Sequence, residues 1–286
     1  MSVKRLAVLG HPVAHSRSPA MHNAALEALA KQGLEGEWIY EKPFNVLPEE
    51  LESKVKEMAE GEFVGANVTI PHKEAALLLA DIKSPEAEVI GAANTLSFEN
   101  GTIHADNTDA GAVIDALRDL PASPKGVRAL VLGSGGAARA VIWALAEEGA
   151  VVYVDGVDLW NRNQARARAT YDELSRHVEL GGAPVESPRQ ESYGIIVNTT
   201  SVGLHGEDPS EHLPIDPSKL GGHVVVDLAY GDRPTKLIEA AKEAGATVVD
   251  GIDILVRQGA RSLKLWTGHE PPLDVMESAA REGLSR

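Results

Sequence analysis

Apolar runs of strand length alternate with amphipathic runs of helix length over most of this chain, and the alternation limits the folds it can adopt. A helix is expected after the first strand, with Ser18 as its N-cap and Pro19 in its first helical position. Another helix is expected over residues 137–147. This order predicts an α/β fold, and 286 residues suffice for about two domains. The expected strands are residues 4–9, 64–70, 94–98, 102–107, 129–132, 195–198, 224–228 and 247–249.

The charge balance narrows the range of partners. The chain has 42 acidic against 27 basic residues, a formal net charge of −15, which repels nucleic acid and anionic membrane surfaces. No apolar run approaches the ~20 residues that a membrane helix needs. Cysteine is absent, so thiolate chemistry is excluded and a cytoplasmic location is favoured. We expect an enzyme with a small-molecule partner and without a nucleic-acid, membrane or metal partner.

A glycine-rich turn joins the strand at residues 129–132 to the following helix. Such a turn, with the pattern G-x-G-x-x-A, lets the backbone approach a dinucleotide pyrophosphate, which the first N–H groups of the helix then bind. The alternative is a plain structural turn, but a strand before it and a helix after it favour cofactor binding. The candidate cofactor residues here are Gly133, Ser134, Gly135, Gly136 and Ala137.

Two opposed features bear on which nicotinamide cofactor binds. Asp155 lies 22 residues after Gly133, near the spacing of the acid that binds the ribose of NAD. Asn161 and Arg162, with Arg166 one helical turn later, can instead hold the 2′-phosphate of NADP. The arginines alone could equally be solvated helix charges, so spacing leaves the cofactor open.

Nine segments, in order from Gly10 to Gly268, together resemble one known family, the shikimate dehydrogenases. The match covers nearly the whole chain, and nine ordered segments are far more specific than any one of them. The segments are GHPVAHSRSPAMHN, GANVTIPHK, GAANT, DNTDAG, VLGSGGAARA, NRNQARA, VNTTSVG, VVDLAYG and DGIDILVRQGARSLKLWTG.

The resemblance implies an activity and an architecture. The activity is the reversible, NADPH-dependent reduction of 3-dehydroshikimate to shikimate. The architecture is α/β with two domains and a cleft between them: a substrate-binding domain with a mixed sheet, residues 1–109 joined by C-terminal helices in 251–286, and a Rossmann-type NADP-binding domain, residues 110–250. Members of the family occur as monomers and homodimers, so either state is expected.

The same resemblance assigns catalysis to Lys73 and Asp109. Hydride transfer to a ketone creates an alkoxide, which needs a proton donor at its oxygen. An ammonium group placed there stabilises the charge and delivers the proton, while the carboxylate orients it. Without the resemblance, Lys73 would be interpreted as a solvated lysine in the first turn of a helix.

Further residues are implied in binding. Two serines that flank an arginine can each donate a hydroxyl hydrogen bond to the substrate carboxylate. Other polar side chains can bind the hydroxyl groups and the carbonyl of the substrate. The implied substrate contacts are Ser16, Ser18, Asn67, Thr69, Asn94, Tyr230 and Gln258. The implied cofactor contacts, beyond the glycine turn, are Asn161, Arg162, Asn163, Arg166, Thr200, Leu228 and Gly251.

One departure from the family pattern affects the cofactor prediction. The strand before Asn161 has about five extra residues, 151–155, so residues 157–160 are expected to be the segment in register. Two alternatives to an NADP-dependent shikimate dehydrogenase are an NAD-preferring quinate/shikimate dehydrogenase and a non-catalytic, ligand-sensing relative. An acid in place of Asn161 and Arg162 would favour the first, and loss of Lys73 or Asp109 would favour the second.

Overall fold

The computed structural model describes residues 3–121, 126–147 and 154–282. The chain divides into two compact units. The first comprises residues 3–109 and 255–282, and the second comprises residues 110–254. In the described residues, no helix has the length and apolar character needed to cross a membrane.

The first unit is built on a mixed sheet of seven strands in the order β2-β1-β4-β6-β7-β5, with β3 pairing to β1. The pairs of β1 with β2, β3 and β4 are parallel, and so is the pair of β5 with β7. β6 runs antiparallel to both β4 and β7. The strands are β1 (Lys4–Gly10), β2 (Trp38–Tyr40), β3 (Phe44–Asn45), β4 (Phe63–Val68), β5 (Ile82–Lys83), β6 (Thr95–Glu99) and β7 (Thr102–Asp106).

Helices connect and cover these strands. The first helix begins at Ser18, and its cap position is Arg17, which makes no side-chain cap hydrogen bond. The expectation that Ser18 is the N-cap is therefore wrong by one residue, because Arg17 already has a helical backbone conformation. The helices are α1 (Ser18–Lys31), α2 (Leu51–Glu60), α3 (Lys73–Leu79), α4 (Pro85–Ile90) and α5 (Asp109–Arg118), with the last running into the second unit.

The second unit contains a five-stranded parallel sheet in the order β12-β11-β10-β8-β9. Counted within the unit, this is the doubly wound order 2-1-3-4-5, in which ligands bind at the carboxyl ends of the strands, where the order reverses. The strands are β8 (Val127–Leu132), β9 (Val154–Trp160), β10 (Ile195–Asn198), β11 (Val224–Asp227) and β12 (Thr247–Val249).

The helices of this part of the chain complete the α/β alternation. They are α6 (Gly136–Glu147), α7 (Gln164–Leu174), α8 (Pro209–His212), α9 (Lys236–Glu243), α10 (Gly251–Thr267) and α11 (Leu273–Arg281). Most of α10 and all of α11 belong to the first unit.

β9 contains a bulge next to the insertion that the family resemblance predicts before Asn161. Val127 pairs with Val154, but Ala129 pairs with Val157, so β9 has one more residue than β8 between these pairs. Gly156 provides the bulge with a φ of +141°, a conformation that glycine adopts readily. From Val157 to Trp160 the two strands pair residue for residue. Residues 151–153 of the expected insertion lie outside the described residues.

In the first unit, Trp266 ties α10 to the sheet. Its Nε1 donates to the carbonyl oxygen of Leu96 over 3.1 Å, across the surface of Gly65. A Cβ added to Gly65 would lie 2.2 Å from Trp266 Nε1 and 2.6 Å from the Leu96 oxygen. Only a glycine at this point of β4 lets the helix approach so closely.

Gly65→Ala should lower the free energy of unfolding of the first unit by ~3 kcal/mol, the upper end of the usual cost of overpacking. Urea denaturation followed by circular dichroism measures this loss. Because Trp266 supplies one of the collisions, the loss in Gly65→Ala/Trp266→Phe should be smaller than the sum of the two single losses. Strictly additive losses would show that the close approach of the indole is unimportant.

Candidate functional site

Lys73 and Asp109 form a largely buried ion pair. Lys73 Nζ lies 2.5 Å from Asp109 Oδ2, and the two side chains are only 16% and 7% exposed. Each is the first residue of a helix, α3 and α5 respectively. The sequence left a solvated lysine open, and this geometry excludes it.

The backbone around Lys73 is fixed from two sides. The carbonyl oxygen of Lys73 accepts from the N–H of Ala93 over 2.9 Å. Its neighbour His72 is 1% exposed, and His72 Nε2 lies 2.7 Å from the carbonyl oxygen of Val46. Since the carbonyl oxygen can only accept, His72 carries its proton on Nε2. These two hydrogen bonds fix the backbone at the start of α3, and with it the point from which the Lys73 side chain extends.

Asn94 holds the other oxygen of Asp109. The N–H of Thr108 donates to Asn94 Oδ1 over 2.7 Å, which fixes the orientation of the amide. Asn94 Nδ2 then donates to Asp109 Oδ1 over 2.9 Å and to Gln258 Oε1 over 3.1 Å. Gln258 Nε2 donates to the carbonyl oxygen of Leu255 over 2.8 Å. The structure thus brings Lys73, Asp109, Asn94 and Gln258 together.

Asn67 belongs to the same hydrogen-bond network, but its side chain is buried among other protein groups. It is 4% exposed, and its Oδ1 accepts from the hydroxyl of Tyr40 over 2.8 Å. Its Nδ2 donates to Ser262 Oγ over 2.9 Å and to the Asn94 carbonyl oxygen over 3.3 Å. Both amide protons therefore already have protein acceptors, and a substrate contact remains a prediction.

The serine loop lies between β1 and α1. Ser18 is 3% exposed, and its N–H donates to Ser16 Oγ over 3.3 Å. Burial lowers the pKa of His22 to about 3, so the ring is neutral. His22 Nδ1 lies 3.3 Å from the Ser18 carbonyl oxygen, to which it donates.

The other two predicted substrate contacts differ in position. Thr69 is half-buried just after β4, where its N–H donates to the carbonyl oxygen of Leu9 over 2.9 Å. Tyr230 is half-buried in the second unit, just after β11. Its assignment stays a prediction.

Three hydroxyl side chains of this network were missed by the sequence analysis. Thr95, Thr108 and Ser262 are 0%, 5% and 0% exposed. A signal existed for Ser262, because it lies four residues after Gln258 and so on the same helical face. Thr108 precedes Asp109 directly and could have been considered with it.

In the second unit, the glycine turn follows β8 and opens α6. Gly133 has a φ of +112°, and a Cβ there would lie 2.5 Å from Thr199 Oγ1. A Cβ on Gly135 would meet no atom within 4 Å, so the backbone faces open space beside the start of a helix of 12 residues, Gly136–Glu147. Ser134 is buried at 4%. Open space next to helix N–H groups suits a dinucleotide pyrophosphate.

The adenosine segment lies directly beside this turn. The N–H of Gly133 donates to the carbonyl oxygen of Trp160 over 2.8 Å, where β9 ends. Asn161 and the exposed Arg162 follow at once. Asn163 caps α7, accepting from the N–H of the exposed Arg166 over 3.1 Å. Arg162 therefore lies in the loop that follows β9, and Arg166 lies in the first turn of α7.

Neither acid of β9 is placed to bind a ribose at that end. Asp155 is five residues before Trp160, which at ~3.3 Å per residue is about 17 Å along the strand. Asp158 is 6% exposed and accepts from Arg128 over 2.7 Å and from the hydroxyl of Tyr193 over 2.8 Å. The spacing that suggested NAD is thus misleading.

The carboxyl ends of β10 and β11 bring the remaining predicted cofactor contacts into one loop cluster. Asn198 accepts from the Thr200 hydroxyl over 2.7 Å and donates to Asp227 over 2.8 Å. The N–H of Leu228 donates to the carbonyl oxygen of Asn198 over 2.9 Å. A Cβ on Gly251 would lie 3.0 Å from the Leu228 oxygen, so α10 starts against this loop.

Asp227 links these loops as a fully buried carboxylate. It also accepts from the hydroxyl of Thr235 over 2.5 Å. Burial raises the pKa of Asp227 to about 6, against the opposing effect of its hydrogen-bond donors. Within residues 3–121, 126–147 and 154–282, no cluster of His, Cys, Asp and Glu could hold a metal ion.

Comparison with known proteins places the chain in a family. The model described as "Shikimate dehydrogenase substrate binding domain" matches residues 8–96, and "Shikimate 5'-dehydrogenase C-terminal domain" matches residues 251–281. The Shikimate dehydrogenase (NADP(+)) of Thermus thermophilus is 44% identical over 282 residues, covering 98% of each chain. That of Methanothermobacter thermautotrophicus is 40% identical over 283 residues, covering 98% of this chain and 96% of the relative. The chain belongs to the shikimate dehydrogenase family.

A solved structure of a shikimate dehydrogenase supports the same placement. The Thermus thermophilus enzyme, in complex with NADP(H) and shikimate, has a TM-score of 0.82 and 41% identity, covering 98% of this chain and 100% of that one. The family resemblance and the α/β fold class predicted from the sequence are confirmed.

The glycine turn after β8 yields a paired prediction. Gly135→Ala should leave stability unchanged or slightly higher, yet weaken NADPH binding at least tenfold, because the new methyl group fills the space beside the helix N-terminus. Gly133→Ala should instead lower the melting temperature, since alanine at that φ meets Thr199. NADPH fluorescence titration and thermal melting separate the two effects. Unchanged NADPH affinity in Gly135→Ala would contradict a pyrophosphate site at this turn.

Proposed function

We propose that this protein is an NADP-dependent shikimate dehydrogenase that reversibly reduces 3-dehydroshikimate to shikimate. The observation that carries the proposal is the buried Lys73–Asp109 pair, in a chain of this family whose adenosine segment presents Arg162 and Arg166. The assignment places the enzyme in the pathway to chorismate and the aromatic amino acids. Because the cysteine-free sequence needs no oxidising compartment, we place the enzyme in the cytoplasm, as a monomer or homodimer.

Lys73 is the proton donor in the direction of reduction. NADPH, when bound, supplies the hydride to the carbonyl carbon. The Lys73 ammonium lies at the carbonyl oxygen, stabilises the negative charge that develops there, and transfers a proton to it. In the oxidation of shikimate, the neutral amine accepts the hydroxyl proton.

Asp109 orients the lysine and binds substrate. Its Oδ2 holds Lys73 Nζ at 2.5 Å, and its Oδ1 is held by Asn94. A carboxylate fixed at both oxygens keeps the ammonium in one direction, so little reorganisation is needed in the transition state. The remaining acceptor capacity of the carboxylate can take a substrate hydroxyl.

Substrate recognition is assigned to the side chains around this pair. The hydroxyl groups of Ser16 and Ser18 donate hydrogen bonds to the ring carboxylate. Asn94 and Gln258, already adjacent through their amides, and Thr69 bind ring hydroxyls and the carbonyl. A planar carboxylate with two oxygens suits the two closely spaced hydroxyl donors of the serine loop.

The cofactor assignment follows from the charge at the end of β9. NADP carries a 2′-phosphate that NAD lacks, and Arg162 and Arg166 provide the guanidinium groups that recognise phosphate. The alternative, an NAD-preferring quinate/shikimate dehydrogenase, needs an acid at this position, and Asn161 and Arg162 occupy it.

Replacing Lys73 by alanine should reduce turnover ~10²–10⁴-fold, the range for a positioned acid–base group. The KM for shikimate should change much less, because the serine and amide contacts remain. Initial rates of NADPH formation from shikimate measure both quantities. Lys56→Ala, which removes an exposed lysine paired with Glu52, is the matched control and should retain normal turnover. Normal turnover in Lys73→Ala would rule out its role as proton donor.

Cofactor choice gives a second prediction. The wild type should prefer NADP, and Arg162→Ala should lower kcat/KM for NADP ten- to a hundredfold, as expected for a lost charge-assisted contact of ~1.5–3 kcal/mol. The value for NAD should hardly change. Rates with NADP and NAD, each with shikimate and quinate, provide the measurement.

Two controls accompany Arg162→Ala. Arg168→Ala removes an exposed arginine from α7, the helix of Arg166, two residues beyond Arg166 and so on another face, and should leave the preference for NADP intact. Asp155→Ala should also have no effect, because Asp155 lies at the far end of the strand. A wild type faster with NAD, and impaired by Asp155→Ala, would refute the NADP assignment.

A further inference from the structure

Three buried hydroxyl groups lie close together next to Asn94, the residue that donates to Asp109. Ser262 Oγ lies 2.7 Å from Thr95 Oγ1 and 3.1 Å from Thr108 Oγ1, and the two threonine oxygens are 3.3 Å apart. Ser262 belongs to α10, Thr95 begins β6, and Thr108 precedes Asp109. We call these three residues the hydroxyl cluster. It is the point where α10 meets the strand ends that carry the site.

The direction of each hydrogen bond at Ser262 follows from its neighbours. Ser262 Oγ donates to the carbonyl oxygen of Gln258 over 3.0 Å, because a carbonyl can only accept. Asn67 Nδ2 donates to Ser262 over 2.9 Å. The second lone pair of Ser262 is left for the shorter of the two threonine contacts, the one from Thr95. Ser262 is thus saturated, with one donated and two accepted hydrogen bonds.

Because Ser262 already accepts two hydrogen bonds, its contacts determine which donors bind Asn94 Oδ1. With the Thr95 hydroxyl directed at Ser262, the Asn94 Oδ1 is left to the N–H of Thr108 at 2.7 Å and the hydroxyl of Thr108 at 3.2 Å. Asn94 Nδ2 has three acceptors within reach: Asp109 Oδ1 at 2.9 Å, Thr108 Oγ1 at 2.9 Å and Gln258 Oε1 at 3.1 Å. While the Thr108 hydroxyl donates to Asn94 Oδ1, the two protons of Nδ2 serve Asp109 and Gln258. The orientation of one buried serine is therefore connected to the catalytic carboxylate through Thr95 and Asn94.

We propose that Ser262 is a positioning residue for catalysis, which directs the Thr95 hydroxyl away from Asn94 and so keeps Asn94 bonded to Asp109 and Gln258. The inference rests on the proposed function, since it assigns Ser262 to the same Lys73–Asp109 site. Ser262 touches no reacting atom; it acts through Asn94.

Removing the Ser262 hydroxyl has a defined effect. The Thr95 hydroxyl then has Asn94 Oδ1 at 3.2 Å and Thr108 Oγ1 at 3.3 Å as acceptors for its proton, while Asn67 Nδ2 donates to it over 3.5 Å. Turning to Asn94 Oδ1, it takes the place of the Thr108 hydroxyl. Thr108 Oγ1 then accepts from Asn94 Nδ2 over 2.9 Å, in competition with Asp109. Asn67 Nδ2 also loses its 2.9 Å acceptor. The contact of Asn94 to Asp109 is loosened, and small misplacements of catalytic groups lower rates strongly.

The test measures Ser262→Ala in two backgrounds. In the wild type it should lower kcat for shikimate oxidation about tenfold, with the KM for NADP changed less than twofold. In Asp109→Ala it should lower the remaining kcat less than twofold, because the group through which it acts is gone. An equal tenfold loss in both backgrounds, or an unchanged kcat in Ser262→Ala, would overturn the proposal.

Thr267→Ala is the matched control for stability. Thr267 lies on the same helix and its Oγ1 makes the same kind of contact, to the carbonyl oxygen of Leu263 over 2.7 Å. This variant should lose stability comparably to Ser262→Ala but keep its kcat. A tenfold loss of kcat in Thr267→Ala would show that kcat follows general loosening of α10, and the proposal would fail.

Ser262→Thr separates the hydroxyl from packing. Threonine keeps the hydroxyl but adds a methyl group at a fully buried position, where overpacking costs stability. We expect Ser262→Thr to melt below Ser262→Ala and yet to have the higher kcat; the reverse order of kcat would overturn the proposal. A wild type inactive with shikimate and NADP would refute the proposed function itself, and this inference with it, whereas an active wild type with a fully active Ser262→Ala would refute the inference alone.

Discussion

A nearly buried ion pair is the constraint around which the first unit is arranged. Withdrawing an ammonium and a carboxylate from water costs several kcal/mol per ion unless other hydrogen bonds compensate. Here Asp109 Oδ2 accepts a hydrogen bond from the Lys73 ammonium, and Oδ1 accepts one from the Asn94 amide. Each contact that compensates the buried charges also fixes the direction of a side chain. The contacts that make burial tolerable therefore also orient Lys73 for its proposed role as proton donor.

The dependence extends to the C-terminal helix. Gln258 and Ser262 reach the network only because α10 returns to the sheet of the first unit. Gly65 allows the close approach of Trp266 that holds it there. A glycine in β4 and, far along the chain, a serine and an indole one helical turn apart on α10 thus contribute to one site. The helix begins beside Leu228 in the second unit, so it is a structural member of both.

Local patterns predicted the strands at residues 195–198 and 247–249 and the glycine turn, because each depends on neighbours in sequence. The meeting of Lys73 with Asp109 required the family resemblance, since spacing does not fix contacts between distant elements. The short strands β2, β3 and β5 and the hydroxyl cluster were not predicted. β3 and β5 have two residues each, too few to show any period, and buried hydroxyls look like ordinary polar residues until tertiary contacts are known.

The bulge at Gly156 has a consequence for how the second unit tolerates variation in length. The extra residue is absorbed at the amino end of β9, whereas Arg162 follows its carboxyl end, beyond four residues paired in register with β8. Chain added before the bulge therefore leaves the end that is proposed to bind phosphate undisturbed. Evolution, or an engineer, can lengthen or shorten the chain before this strand without altering the proposed site of cofactor discrimination, so the two properties are free to vary independently.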